Sequence, residues 1–176
     1  MRKIIVDKDS RVTIAANWAI TAILIGCAAY FIKNLFILTP IILFLLAFAF
    51  FVFWFHRVPD RDTPAGDTRL VTSVADGKIV IVDRVYEKEY FKDDRIQVSI
   101  YMDFFDVHTN FWPMDGEISY YKYHPGKYWL AFLPKASEKN EHSSTVIRND
   151  HGEVLFKQIA GTFARRIVCY SKEGMA

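Results

Sequence analysis

The chain has 176 residues, 52% hydrophobic and 24% charged, with a formal net charge of +2. At roughly 150 residues per domain, that length holds one soluble domain and whatever a membrane takes. Nothing in so even a charge balance points to nucleic acid, whose binding needs a concentrated basic face, and that partner is set aside.

Residues 1–11 form a basic tail carrying Arg2, Lys3, Lys8 and Arg11. From Val12 to Ile32 and again from Leu35 to Phe55 the chain is uncharged, and each run has the ~20 residues a helix needs to cross ~30 Å of hydrocarbon. Only Lys33 and Asn34 separate them, so residues 12–56 read as a transmembrane or re-entrant helical hairpin whose ends share one side. Arg57, Arg61 and Arg69 follow it, against a lone Lys33 at its tip, and the positive-inside rule makes the ends cytoplasmic. A secretory signal peptide is disfavoured, because its apolar core is only ~7–15 residues and no second apolar run follows it. Pro40 leaves two readings open: it starts the second helix, which is then shorter and dips into the bilayer, or it sits inside a spanning one.

Residues 57–69 are a polar linker with proline and glycine, leading to a β-rich catalytic-type domain over 70–176. Strands are expected at Leu70–Val74, Lys78–Tyr86, Arg95–Tyr101, Glu117–His124, Ser144–Asn149, Glu153–Ala160 and Phe163–Tyr170, each rich in β-branched or aromatic residues. Asp76-Gly77, Asp115-Gly116 and His151-Gly152 supply turns. A short helix is expected over Pro134–His142. No internal repeat is visible, and the fold class is mainly β: a compact single-domain barrel or sandwich preceded by the two-helix hairpin. Cys27 lies in the apolar run and Cys169 in a strand-like run, so no bridge is expected and a reducing compartment fits.

The densest chemical constellation runs from Tyr101 to Pro113, where Asp103, Asp106, His108 and Asn110 sit among aromatics. From spacing alone a lone histidine there is more often structural than catalytic. Asp106 and His108 make a weak metal pair that no second dense cluster completes, so no metal is expected. Ser-His-Asp hydrolysis lacks a G-x-S-x-G elbow.

Five segments in order, Ser73-Val-Ala-Asp-Gly-Lys78, Asp106-Val-His-Thr-Asn110 with Pro113, Tyr123-His-Pro-Gly-Lys127, Lys135–Glu141 and Gln158–Val168, together resemble the phosphatidylserine decarboxylase family in its short, membrane-anchored bacterial type. The resemblance implies a pyruvoyl enzyme of phospholipid biosynthesis, a zymogen matured by autocatalytic cleavage, that converts phosphatidylserine to phosphatidylethanolamine and CO₂. The substrate amine forms a Schiff base with the pyruvoyl ketone, which accepts the electrons released with the carboxylate. His108 matches the family's histidine for returning a proton to the α-carbon. Asp76 matches the aspartate that assists maturation, although Asp-Gly is equally a common turn between strands. Longer members carry a second histidine where this chain has Phe111, which leaves His108 or His124 as a maturation or supporting residue. Asn110 and Arg166 are candidates for substrate binding; the bland reading of Arg165 and Arg166 is a solvated strand edge facing anionic head groups. The tyrosines from Tyr120 to Tyr128, with Trp129 and Phe132, are either an interfacial belt or core.

The family cleaves itself at a Gly-Ser site downstream of the Ala164–Val168 segment, and this sequence contains no Gly-Ser dipeptide. The chain is therefore expected to be the large β-subunit portion: a truncated product, a β chain lacking its last residues, or a degenerate copy. The expected partners are a small pyruvoyl-bearing α subunit, phosphatidylserine and the bilayer, and the chain alone is expected to be inactive. The alternative is a non-catalytic, membrane-anchored β module that binds or scaffolds after losing the pyruvoyl serine.

Overall fold

The computed structural model describes residues 4–61, 69–130 and 139–175. In chain order the elements are β1 (Ile4–Val6), α1 (Lys8–Phe31), α2 (Leu35–Phe55), β2 (Arg57–Pro59), β3 (Lys78–Glu87), β4 (Asp93–Tyr101), β5 (Glu117–His124), β6 (His142–Asn149) and β7 (Gly152–Ile159). The architecture is mainly β with a helical hairpin in front. The chain divides into two compact units, Met1–Asp62 with Val107–Thr109, and Thr63–Asp106 with Asn110–Ala176.

In the first unit both helices are capped by side chains. Asp7 accepts the amide of Asp9 at 2.9 Å and Asn34 that of Phe36 at 2.9 Å, meeting amides that a helix start leaves unpaired. With its cap at Asn34, α2 begins well before Pro40 and runs through it, so the reading in which Pro40 opens a shorter helix is corrected. At ~1.5 Å per residue, 24-residue α1 and 21-residue α2 are each long enough to cross a bilayer, and both are apolar enough. Their side chains point mostly outward: Phe31, Phe36 and Phe44 are exposed, unlike the residues of a core helix in a soluble protein. Contact between the helices falls on small residues, with Thr21 and Ala49 buried and Asn17 Nδ2 donating to Ala49 O at 3.4 Å. At the far ends β1 pairs antiparallel with β2, Ile5 opposite Val58, closing the hairpin. The Arg57 guanidinium lies 4.1 Å over the Trp54 ring and donates to the Trp54 carbonyl, an amphipathic pair suited to a membrane–water boundary.

In the second unit β3 and β4 form an antiparallel ribbon, while β5, β6 and β7 form a sheet in that order. These two assemblies share one local design, although no repeat shows in the sequence. Each opens with Asp-Gly and an isoleucine two residues after the glycine: Asp76-Gly77-Lys78-Ile79 and Asp115-Gly116-Glu117-Ile118. Lys78 faces Tyr101 as Glu117 faces Arg148, Ile79 faces Ile100 as Ile118 faces Ile147, and each pairing then slips at one bulge, between Ile79 and Ile81 and between Ile118 and Tyr120. At both openings a Cβ would sit 2.3 Å from the opposite carbonyl oxygen, of Tyr101 or Arg148, so only glycine fits.

Two expected strands are absent. Around Leu70–Val74, Thr72 N–H donates to Pro113 O and Phe111 N–H to Val74 O, but Pro113 has no N–H with which to continue a ladder. Over Phe163–Tyr170 the Ile167 amide meets the Glu141 carboxylate at 3.4 Å in place of a neighbouring strand. Arg165 and Arg166 therefore do not alternate across a sheet. Most of the helix expected over Pro134–His142 lies outside the described residues, and its last position, His142, opens β6.

Gly77→Ala and Gly116→Ala should each lower stability by about 2 kcal/mol or more, since both a carbonyl clash and an unfavourable φ oppose the new side chain. Gly152→Ala, at φ +148° with open space around it, should cost about 1 kcal/mol. Thermal unfolding in detergent, followed by tryptophan fluorescence, checks this order.

Candidate functional site

The segment leading to His108 is shaped by its own aspartates. Asp106 Oδ2 accepts the Asp103 amide at 2.9 Å, Asp103 Oδ1 accepts the Phe105 amide at 2.8 Å, and the Asp106 amide donates to Asp103 O at 3.2 Å. Such side-chain-to-backbone bonds build a tight turn. Both carboxylates thus take part in the turn. Beyond it Val107 is buried, and the His108 ring stacks on Phe55 with centroids 3.9 Å apart and planes 28° off parallel. Phe55 is the last residue of α2. The imidazole is therefore held against the terminal aromatic of an apolar helix, within the first unit.

The other expected site residues lie in the second unit. Asp76 is half-buried beside Gly77 at the head of β3. Asn110 is half-buried, and its Oδ1 is a buried acceptor with no hydrogen-bond partner among the described residues. Arg166 is exposed. His124 ends β5, directly opposite His142 at the start of β6, and the two rings stack with centroids 4.3 Å apart and planes 14° off parallel.

His124 belongs to a network whose centre the sequence did not single out. Glu89, from the loop joining β3 to β4, accepts from His124 Nε2 at 2.6 Å, Tyr120 OH at 3.1 Å, Ser144 Oγ at 3.0 Å and Lys157 Nζ at 2.8 Å. Register explains the convergence: Lys122 faces Ser144 and Ser144 faces Lys157, so Tyr120, His124, Ser144 and Lys157 all project from one face of the sheet. Burial would raise the Glu89 carboxyl, but hydrogen bonds from Lys157, His124 and Ser144 and the lysine charge outweigh it and hold the pKa at about 2. Burial and the adjacent Glu89 charge push the Tyr120 phenol up to about 12. Glu87 folds the same loop by accepting the amides of Glu89, Tyr90 and Phe91.

Glu89, His124 and His142 bring three potential metal-ligand atoms within 4.8 Å of one another. A single ion prefers to lie in the plane of each imidazole that binds it, and two nearly parallel stacked rings have no such common point. Lys157 adds a cation at the same carboxylate. The arrangement as placed is an ion-pair and hydrogen-bond network.

Another unanticipated centre is Asn140, fully buried. Its amide donates to the carbonyls of Trp129 and Ala160, both at 2.8 Å, and accepts the Trp129 amide at 2.9 Å. Beside it the buried Glu141 accepts from Tyr128 OH at 2.5 Å. Phe132 lies outside the described residues.

Glu89→Gln keeps the shape and removes the charge, and should cost about 1.5–3 kcal/mol at neutral pH. A carboxyl with a lowered folded-state pKa stabilises above the ordinary glutamate range, and that contribution fades as pH falls towards about 2. The gap in urea midpoint between wild type and variant should accordingly be wide at pH 7 and narrow progressively below about pH 4.5.

Residues 48–176 match the family model described as phosphatidylserine decarboxylase. Among curated proteins, a phosphatidylserine decarboxylase proenzyme from Amoebophilus asiaticus is 50% identical over 124 residues, covering 70% of this chain and 55% of the relative. Proteins of the same name from Bacteroides thetaiotaomicron, 46% identical over 68% of this chain and 53% of the relative, and from Porphyromonas gingivalis, 41% identical over 83% and 65%, agree. The chain thus spans between about half and two thirds of the length of these relatives. With a family model matched over most of its length and several relatives above 40% identity, the chain belongs to the phosphatidylserine decarboxylase family.

Proposed function

We propose that these residues form the β-subunit portion of a pyruvoyl-dependent phosphatidylserine decarboxylase, acting with a small pyruvoyl-bearing α subunit on phosphatidylserine at a membrane. The observation that carries this reading is His108, the residue matching the family's proton donor, stacked on the terminal aromatic of an apolar helix long enough to cross a bilayer. A lipid head group is met at that level, between hydrocarbon and water. When present, the pyruvoyl group takes the substrate amine and the electron pair released with CO₂. The sequence here holds no Gly-Ser dipeptide, so on this reading that group comes from residues outside these 176, and the chain alone is inactive.

The chain's own residues supply the remaining needs. Asn110 Oδ1, a buried acceptor without a partner among the described residues, fits a ligand that brings an N–H, as the serine head group's amine does. His108 returns a proton to the α-carbon, a task suited to an imidazole near neutral pH. Arg166 is available to the phosphate, while Asp76 assists the serine attack that forms the pyruvoyl group. His124 is held by Glu89 and has a supporting role in this scheme. Basic residues at both ends of the hairpin support a cytoplasmic position for the strand-rich unit.

With this chain joined to the Gly-Ser segment of a relative, His108→Ala should still self-cleave but lose ~10²–10⁴ in CO₂ release. Asp76→Ala should remain a single uncleaved polypeptide on a gel. A His108→Ala protein that cleaves and turns over normally would show that the aspartate–histidine run is structural and that the proton comes from another group.

For the topology, a cysteine at Lys33 in a Cys27→Ala background should react from outside with a membrane-impermeant thiol reagent, and one at Asp150 should not. Outside labelling at Asp150 would reverse the orientation, and labelling at neither position would mean a re-entrant hairpin.

A further inference from the structure

The β3–β4 ribbon is amphipathic, and its apolar face is open. Pairing of Ile79 with Ile100, Val82 with Val98 and Arg84 with Ile96 puts Ile79, Val82, Ile96, Val98 and Ile100 on one side with Arg84 at its end, while the more mixed other side carries Ile81, Asp83, Val85, Arg95, Gln97 and Ser99. Ile79, Val82, Ile96 and Val98 are all exposed. A two-stranded ribbon with a contiguous apolar face is marginal by itself, and scattered surface residues do not explain a patch of this kind.

The duplicated design shows what covers the equivalent face. By register Ile79, Ile96, Val98 and Ile100 correspond to Ile118, Ser143, Thr145 and Ile147 of β5 and β6. Ile96 and Val98 are 77% and 52% exposed, whereas Ser143 and Thr145 are 2% and 1% exposed. Polypeptide makes the difference. The C-terminal segment meets that face at Ser171, whose Oγ is 3.1 Å from Thr145 Oγ1, and then runs along the outer edge of β5, where Ile118 N–H donates to Met175 O and Gly174 N–H donates to Ile118 O. The sheet also has β7 along the outer edge of β6, while no strand among the described residues pairs with the outer edge of β4.

We infer that the apolar face of the β3–β4 ribbon is the docking surface for a second polypeptide segment, that of the pyruvoyl-bearing partner. The inference rests on the function proposed above and adds where the partner binds. Three observations favour this occupant. The twin face is covered by peptide. Relatives extend well beyond the matched portion, which makes up only 53–65% of their length. The two strands carry Lys78, Arg84 and Arg95 against Asp83, Glu87, Asp93 and Asp94, a balance that gives anionic head groups no attraction.

The test uses the full chain in lipid nanodiscs. The probe is the pyruvoyl-bearing portion of the Amoebophilus asiaticus proenzyme, which on the proposed function follows its Gly-Ser cleavage site, made as a separate polypeptide. Wild type should bind it. Ile96→Glu and Val98→Glu should each weaken binding about tenfold or more, the scale set by burying one aliphatic side chain, while Gln97→Glu on the opposite face should not. As a measurement independent of these charges, a cysteine at Val98 should be shielded from alkylation by the probe and one at Gln97 should stay reactive, both in a background lacking Cys27 and Cys169. Binding that is indifferent to Ile96→Glu and Val98→Glu, with Val98→Cys unshielded, overturns the docking surface and leaves the proposed function standing. Failure of wild type to bind the probe at all counts against the proposed partnership itself. A wild-type dimer that Ile96→Glu dissociates would assign the face to a second copy, and shielding of Val98→Cys by the nanodisc lipid alone would assign it to the bilayer; either overturns the inference.

Discussion

The strand-rich unit depends on one carboxylate. Glu89 stands on the loop between β3 and β4 and collects donors from β5, β6 and β7 together. A half-buried carboxylate is costly unless its lone pairs are met, and here four donors meet them, one a lysine. The same bonds fasten the ribbon's loop to the sheet. Glu87 prepares this by folding the loop around its own carboxylate, so two acids two residues apart play different parts: one shapes the loop and the other docks it.

The second constraint is the repeated opening of β3 and β5. In both, glycine lets the chain pass beneath an opposing carbonyl, and a bulge one residue after the isoleucine reorients the strand. That bulge is why Ile79 and Val82, an odd number of residues apart, share a face. The duplication also bears on Asp76. Its counterpart Asp115 occupies the same place at the head of β5, so the turn alone accounts for an aspartate there. A catalytic role for Asp76 has to come from what its copy lacks, namely its membership of the Ser73–Lys78 segment that resembles the family.

In the helical unit, aromatic packing links chemistry to the bilayer. An imidazole stacked on Phe55 is restrained by a ring that belongs to an apolar helix, and the Arg57–Trp54 pair lies in the adjacent turn. On the function proposed above, a proton donor fixed at that level would serve a substrate whose head group lies at the lipid surface.

The sequence by itself determined the hairpin, because two uncharged runs of helical length separated by two residues have few other solutions in water or lipid. It also determined five strands to within two residues at each end, from β-branched and aromatic runs bounded by Asp-Gly and His-Gly turns. His108 stood out through its segment's likeness to a family, since spacing alone would have left it a structural histidine. Tertiary structure decided the rest. Glu89 reads locally as one more charge in a polar loop, and only the register of three strands brings its donors together. Leu70–Val74 and Phe163–Tyr170 have strand composition, yet a strand needs a neighbour with free amides and carbonyls, and Pro113 and the Glu141 carboxylate stand where those would be. Local pattern sets which backbone shapes are inexpensive; long-range pairing decides which of them find partners.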